Sequence, residues 1–143
     1  MFSKTLTILA VGFSALSAIS PASARVIGIT APATVTPGTA FPVTLQTASF
    51  SENINNYYLV FGMAPQSDSN GGLGTLIGMG YDLVENGQSE TGPGSFNVSI
   101  TIPNTYDPST QGSAVNLRTV VFSTVGASEQ IITPLFSTNI TVA

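Results

Sequence analysis

The chain has 143 residues with only 3 Lys and Arg against 7 Asp and Glu, and it contains no His, Cys or Trp. So few cations cannot build the phosphate-tracking surface that nucleic acid requires, and binding to an anionic membrane surface is disfavoured for the same reason. Without His or Cys there is no thiol nucleophile, no imidazole base for a serine, and none of the common nitrogen and sulfur metal ligands. An enzyme is therefore not expected, and no metal or cofactor is; carboxylate chemistry is the one class that composition leaves open.

In chain order, Met1–Ala24 reads as a cleaved export signal. Lys4 gives the positive start, Leu6–Leu16 is apolar, and Ala22-Ser23-Ala24 is a small-x-small processing site, so the mature chain is expected to begin at Arg25. The apolar run is too short for an anchor, no later stretch is long enough to span a bilayer, and Phe136–Ala143 lacks a lipid-anchor tail. Removing 24 residues from 143 leaves 119, one domain by length, expected over residues 25–143 as a secreted monomer. Such a chain buries roughly two-thirds of its unfolded surface. The leader takes Lys4 with it, leaving Arg25 and Arg118 against seven carboxylates, a net charge of −5. With no disulfide available, packing and backbone pairing must hold the fold, which would persist in a reducing cytosol as well as outside the cell.

Arg25–Thr30 is the first predicted strand, closed by Pro32. Thr36-Pro37-Gly38-Thr39 carries Pro and Gly where a type II turn wants them. Phe41, Val43 and Leu45 alternate inward, and Pro42, lacking an N–H, marks an edge or the start of the strand. Glu52–Asn56 reads as polar loop, and Tyr57–Met63 as a strand apolar on both faces. Pro65–Gly72 is loop. Leu73–Val84 has strand composition, but Gly74, Gly78 and Gly80 inside it imply a bulge or an element lying close across it. Glu85–Ser95 is a Gly-rich loop, and Phe96–Ile102 alternates cleanly with Asn97, Ser99 and Thr101 outward.

Ala114–Val125 is the stretch around which the others are arranged. Val115, Leu117, Val121 and Val125 share one face and Asn116, Arg118, Val120, Phe122 and Thr124 the other, without Pro or Gly, so it is predicted as the central strand of a sheet. Pro134–Val142 closes the set, with Phe136, Ile140 and Val142 inward. Seven strand-like runs and no helical period predict an all-β chain, an immunoglobulin-like antiparallel β-sandwich without the Cys–Trp–Cys core. A small jelly roll or barrel is the alternative.

Asn97-Val98-Ser99 and Asn139-Ile140-Thr141 are N-glycosylation sequons whose strand phase turns both asparagines outward. Asp68-Ser69-Asn70-Gly71-Gly72 has the front of a calcium loop, but it lacks the later ligands and reads better as a solvated loop. Asp82, Glu85 and Glu90 form an imaginable glycosidase pair, though acidic residues in a Gly-rich loop mostly serve solubility. Without Trp, a sugar platform would fall to Tyr57, Tyr58, Tyr81 and Tyr106.

Ala24-Arg25-Val26-Ile27-Gly28-Ile29, Val35-Thr36-Pro37-Gly38, Val60-Phe61-Gly62-Met63-Ala64-Pro65, Gly72-Leu73-Gly74-Thr75 and Val121-Phe122-Ser123 with Gly126-Ala127-Ser128 occur in that order. Together they resemble the fungal necrosis-inducing secreted protein family over nearly the whole mature chain. The chain departs from that pattern at Thr124-Val125 and over Tyr81-Asp82-Leu83 and Glu85–Ser89. The resemblance implies a secreted virulence effector that suppresses plant pattern-triggered immunity by binding host immune receptor kinases, some members also provoking cell death, with action inside the host plant cell. The competing expectation, drawn from the Ser/Thr/Asn-rich outer faces and the sequons, is an extracellular cell-wall or surface-associated interaction module.

Overall fold

Strands form wherever the sequence alternates or runs β-branched and aromatic, and Gly- and Pro-rich stretches part them. The protein is described here by a computed structural model covering residues 23–74 and 78–143. Its first elements are β1 (Ala24–Thr30), β2 (Thr34–Val35), β3 (Ala40–Ser49), β4 (Ile54–Pro65) and β5 (Gly78–Asp82). There follow β6 (Gly94–Thr101), the four-residue helix α1 (Pro108–Gln111), β7 (Ala114–Val125), β8 (Gln130–Ile132) and β9 (Leu135–Val142). The leader expected at Met1–Ala24 lies, but for its last two residues, outside the described residues; Ala24 is the first residue of β1.

One sheet runs β1-β3-β6, and the other runs β2-β9-β7-β4-β5 with β8 also on β7. This is immunoglobulin-like connectivity: β1, β3 and β6 take the places of strands A, B and E, and β4, β7 and β9 those of C, F and G. β5 extends the second sheet beside C, and β2 crosses over to pair parallel with β9. The core between the sheets contains Val43, Leu45, Leu59, Phe61, Met63, Leu117 and Val121, each fully buried. β7 is central, flanked by β4 and β9 over most of its length, as its two-faced pattern predicts. At Thr36–Thr39 the expected turn forms: Gly38 has φ 77° and Thr39 N–H donates to Thr36 O at 3.1 Å. Pro42 sits past the last pairing of β1 with β3, at Thr44, where β6 alone flanks the strand.

The seven expected strands are present, and short β2, β8 and α1 are additions. Two boundaries move. Ile54 and Asn56, expected in loop, belong to β4 and are buried opposite Val125 and Ser123, where Asn56 Oδ1 accepts from Ser123 Oγ at 2.7 Å. Within the stretch expected as a strand over Leu73–Val84, β5 covers only Gly78–Asp82, residues 75–77 lie outside the described residues, and Leu73-Gly74 belongs to a loop folded against β4. Between β6 and β7, Tyr106 is buried and its hydroxyl donates to Gly112 O at 2.6 Å, pinning the corner before β7. Burial pushes that phenol's pKa up. Asp107 caps α1 by accepting from the Ser109 side chain and backbone N–H, and these bonds hold its carboxyl below the usual carboxylate range.

Candidate functional site: the outer face of the large sheet

β7 carries a charge in the middle of an otherwise uncharged strand. Arg118 points away from the core, opposite Gly62 on β4 and Ser137 on β9, yet it is 6% exposed. A buried guanidinium needs acceptors, and the loop after β4 supplies four. Arg118 Nη1 donates to Asp68 Oδ2 at 3.1 Å, Asn70 O at 2.9 Å and Gly72 O at 2.8 Å, and Nη2 donates to Asp68 O at 2.7 Å. Asp68 Oδ1 accepts from Asn70 N–H at 2.9 Å, which shapes the turn. The Asp68–Gly72 segment therefore behaves neither as a calcium loop nor as a free solvated one: its inward oxygens wrap a guanidinium. Among the described residues no group of three acidic, His or Cys residues is placed to hold a metal ion.

The clamp folds this loop over half of the sheet's outer face. A Cβ on Gly62 would run into the Leu73 carbonyl, so only glycine allows the loop to lie this close, and Ala64 beneath it is fully buried. Beyond the loop the face is open and apolar. Tyr58 stands opposite Phe122, Val60 opposite Val120, and Leu135 on β9 opposite Val120, while Ile131 on β8 stands opposite Thr124. Tyr58 is 40%, Phe122 41%, Leu135 41% and Ile131 74% exposed. The sequence reading buried both faces of Tyr57–Met63, but the outer one is exposed at its start. The cause is a β-bulge between Asn56 and Tyr58. Before it Ile54 and Asn56 face the core, after it Leu59, Phe61 and Met63 do, and the extra residue leaves Tyr57 and Tyr58 both outward. The Tyr57 hydroxyl lies 3.2 Å from Thr124 Oγ1, and the Tyr58 ring reaches across to Gly80 on β5.

The other residues singled out by sequence are dispersed. Asn97 on β6 is exposed on the outer face of the small sheet, where its Oδ1 accepts from Thr44 Oγ1 at 2.7 Å; Asn139 on β9 is exposed on the large sheet, opposite Asn116. Asp82 Oδ1 accepts from Glu85 N–H at 2.8 Å in the turn after β5, and Glu85 and Glu90 are exposed. Tyr81 is half-buried, its hydroxyl bonded to Gln88 Oε1 at 2.9 Å, so the four tyrosines do not make one platform. Sequence reasoning missed the Arg118 clamp and the outward tyrosine pair. The first had half a signal: a lone Arg inside an apolar strand demands oxygen partners, but nothing in the sequence says that the loop 50 positions earlier supplies them. The second had none, because a bulge is invisible to strict alternation.

Fold and face together define an immunoglobulin-like β-sandwich that exposes aromatic and aliphatic side chains on the outer face of its large sheet. The model of the Nis1 family matches residues 22–141, and the chain belongs to this family of fungal necrosis-inducing-like effectors. No curated protein matches the chain. Among solved structures, the superoxide reductase (neelaredoxin) from Ignicoccus hospitalis is similar at 8% identity over 85% of this chain and 80% of that one, with a TM-score of 0.39. A likeness that low bears no argument about activity.

Proposed function

We propose that this chain is a secreted effector that suppresses plant pattern-triggered immunity by binding the cytoplasmic domains of host immune receptor kinases and lowering their activity, without catalysing a reaction itself. The observation that carries the reading is membership of the Nis1 family over residues 22–141. The composition supports a binding role: no His, no Cys and no lysine beyond Lys4 leave no thiol nucleophile, no imidazole-activated serine and, past Lys4, no amine nucleophile. The disulfide-free core supports persistence inside the host cell, because nothing in it depends on oxidation. The test is co-precipitation of the secreted protein with purified cytoplasmic domains of plant immune receptor kinases, paired with the immune oxidative burst in leaves expressing it. Association and a reduced burst are expected; neither occurring removes the reading.

A cell-wall interaction role is the second reading, favoured by the polar outer face of the small sheet, where Thr44, Gln46, Asn97, Ser99 and Thr101 stand together. It requires retention on insoluble polysaccharide, and a protein that remains wholly in the soluble fraction removes it.

A further inference from the structure

We propose that the open half of the large sheet's outer face, centred on Tyr58 and Phe122, is the surface through which this protein docks, and that its occupant is a lysine- and arginine-bearing face of a folded host protein domain. That the domain is a kinase rests on the reading above.

The two outer faces of the sandwich are built on the same principle and differ in chemistry. On the small sheet the outward positions of β3 and β6 include Thr44, Gln46, Asn97, Ser99 and Thr101, the polar pattern expected of a solvated face, with Ile27 on β1 the exposed large apolar side chain of that sheet. On the open half of the large sheet the outward positions are Tyr58, Val60, Val120, Phe122, Thr124 and Leu135, with Tyr57 added by the bulge and Ile131 by β8, while the polar Asn116, Ser137 and Asn139 lie toward the other end of that face. The fold does not require this, since one face of an antiparallel sheet suffices for the core. A contiguous apolar patch of this kind marks an interaction site. The rings are also fixed in advance: Tyr57 is bonded to Thr124, and Tyr58 lies against Gly80. Rigid aromatic side chains at the centre of a patch are where binding energy concentrates.

Charge selects the occupant. Among the described residues the cations are Arg25 and Arg118; the second is enclosed by the 68–72 loop, and the first, on β1, holds its guanidinium 5.8 Å from the Phe50 ring centroid. Neither side chain projects from the aromatic face. The rim is acidic. Asp82 stands directly opposite Tyr58 on β5, Glu85 follows in the next turn, Glu129 lies in the β7–β8 turn, and Glu52 packs beside Gly126 at the end of β7. A second copy would set acidic rim against acidic rim, and phosphate-bearing surfaces would be repelled in the same way. A basic protein surface is complementary, and such rim charges raise the association rate and make it depend on salt.

The experiment measures binding of the secreted protein and its variants to the purified kinase domains by calorimetry at low and high salt, with melting temperatures and sedimentation of each variant alongside. The parent is expected to bind, more weakly as salt rises. Phe122→Ser and Tyr58→Ser each weaken binding about tenfold or more. The double variant Asp82→Asn, Glu85→Gln flattens the salt dependence. Ile27→Ser, which removes a more exposed apolar side chain from β1 in the other sheet, leaves binding unchanged. Hydrogen exchange in the parent complex supplies a readout independent of variant folding, with new protection expected at residues 57–60 and 120–124. Parent-like binding by both ring variants, or no protection at those residues, overturns the surface and leaves the functional reading standing. No binding by the parent removes the functional reading and the occupant together. Binding insensitive to salt overturns the basic occupant, and a parent dimer that Phe122→Ser dissolves assigns the face to a second copy and overturns the proposal.

Discussion

Replacing Arg118 with alanine tests whether the clamp holds the 68–72 loop in place. The substitution deletes four hydrogen bonds from one buried guanidinium and uncovers Ala64 and Gly62, both now buried beneath the loop. Removing one partner of a fully buried pair costs about 3–5 kcal/mol. Here the Asp68 side chain is 22% exposed and the released carbonyls regain water, which places the expected loss near the lower end, about 3 kcal/mol. In a domain of this size that corresponds to a drop of roughly 10–15 °C in Tm. Asp68→Asn leaves the three backbone acceptors in position and is expected to cost only about 1 kcal/mol. Urea denaturation of the parent, both single variants and the double variant measures the losses and the coupling between the two side chains. Hydrogen exchange over residues 66–74 reports whether the loop has been released. A loss for Arg118→Ala below about 1 kcal/mol, or equal losses for the two single variants, refutes the view that the loop is held mainly through its backbone oxygens.

Val121→Ala opens a cavity under the central strand and is expected to cost about 2 kcal/mol or more, whereas Asn116→Ala on the opposite face costs much less; urea melts of the pair decide it. Tyr106→Phe removes the bond to Gly112 O and is expected to cost about 1 kcal/mol. Because burial raises that phenol's pKa, its contribution is complete below the ordinary tyrosine value and is lost as pH rises through the raised one, so the variant's stability should fall less steeply in alkaline buffer. If the chain is cleaved after Ala24 as the sequence predicts, Lys4 is lost and no lysine is left for ubiquitin, and a long half-life in plant cytosol is expected. Gln88, in a loop that reads as exposed, is unsuitable for restoring a lysine because it bridges Tyr81 and the Asn97 carbonyl. Ser128, in the exposed β7–β8 turn, is suitable, and Ser128→Lys should shorten the half-life when the proteasome is active.

The strand pattern was legible where a segment is governed by its own alternation. β6 and β7 begin or end within two residues of the reading, and Val98, Ile100, Val115, Leu117 and Val121 are buried as their phase demands. It was illegible where a neighbour decides. Ile54-Asn55-Asn56 has the composition of a loop, but β7 reaches far enough to pair with it, and the buried Asn56 finds its acceptor role with Ser123. β8 is three residues long and exists because the turn after β7 folds it back onto that strand.

The sequence by itself determined that this chain is all-β, which face of β3, β6 and β7 enters the core, and that no disulfide, thiol or imidazole chemistry takes part. These follow from residue type and a period of two, and both are local properties. The tertiary structure alone decided what the outer face of the large sheet presents. Whether Arg118 is a surface charge or the centre of a loop depends on oxygens more than forty positions away in the chain. Whether Tyr57 and Tyr58 straddle the sheet or stand side by side depends on one inserted residue in the register with β7. Register and long-range hydrogen bonding are settled between strands, and no pattern within one strand encodes them.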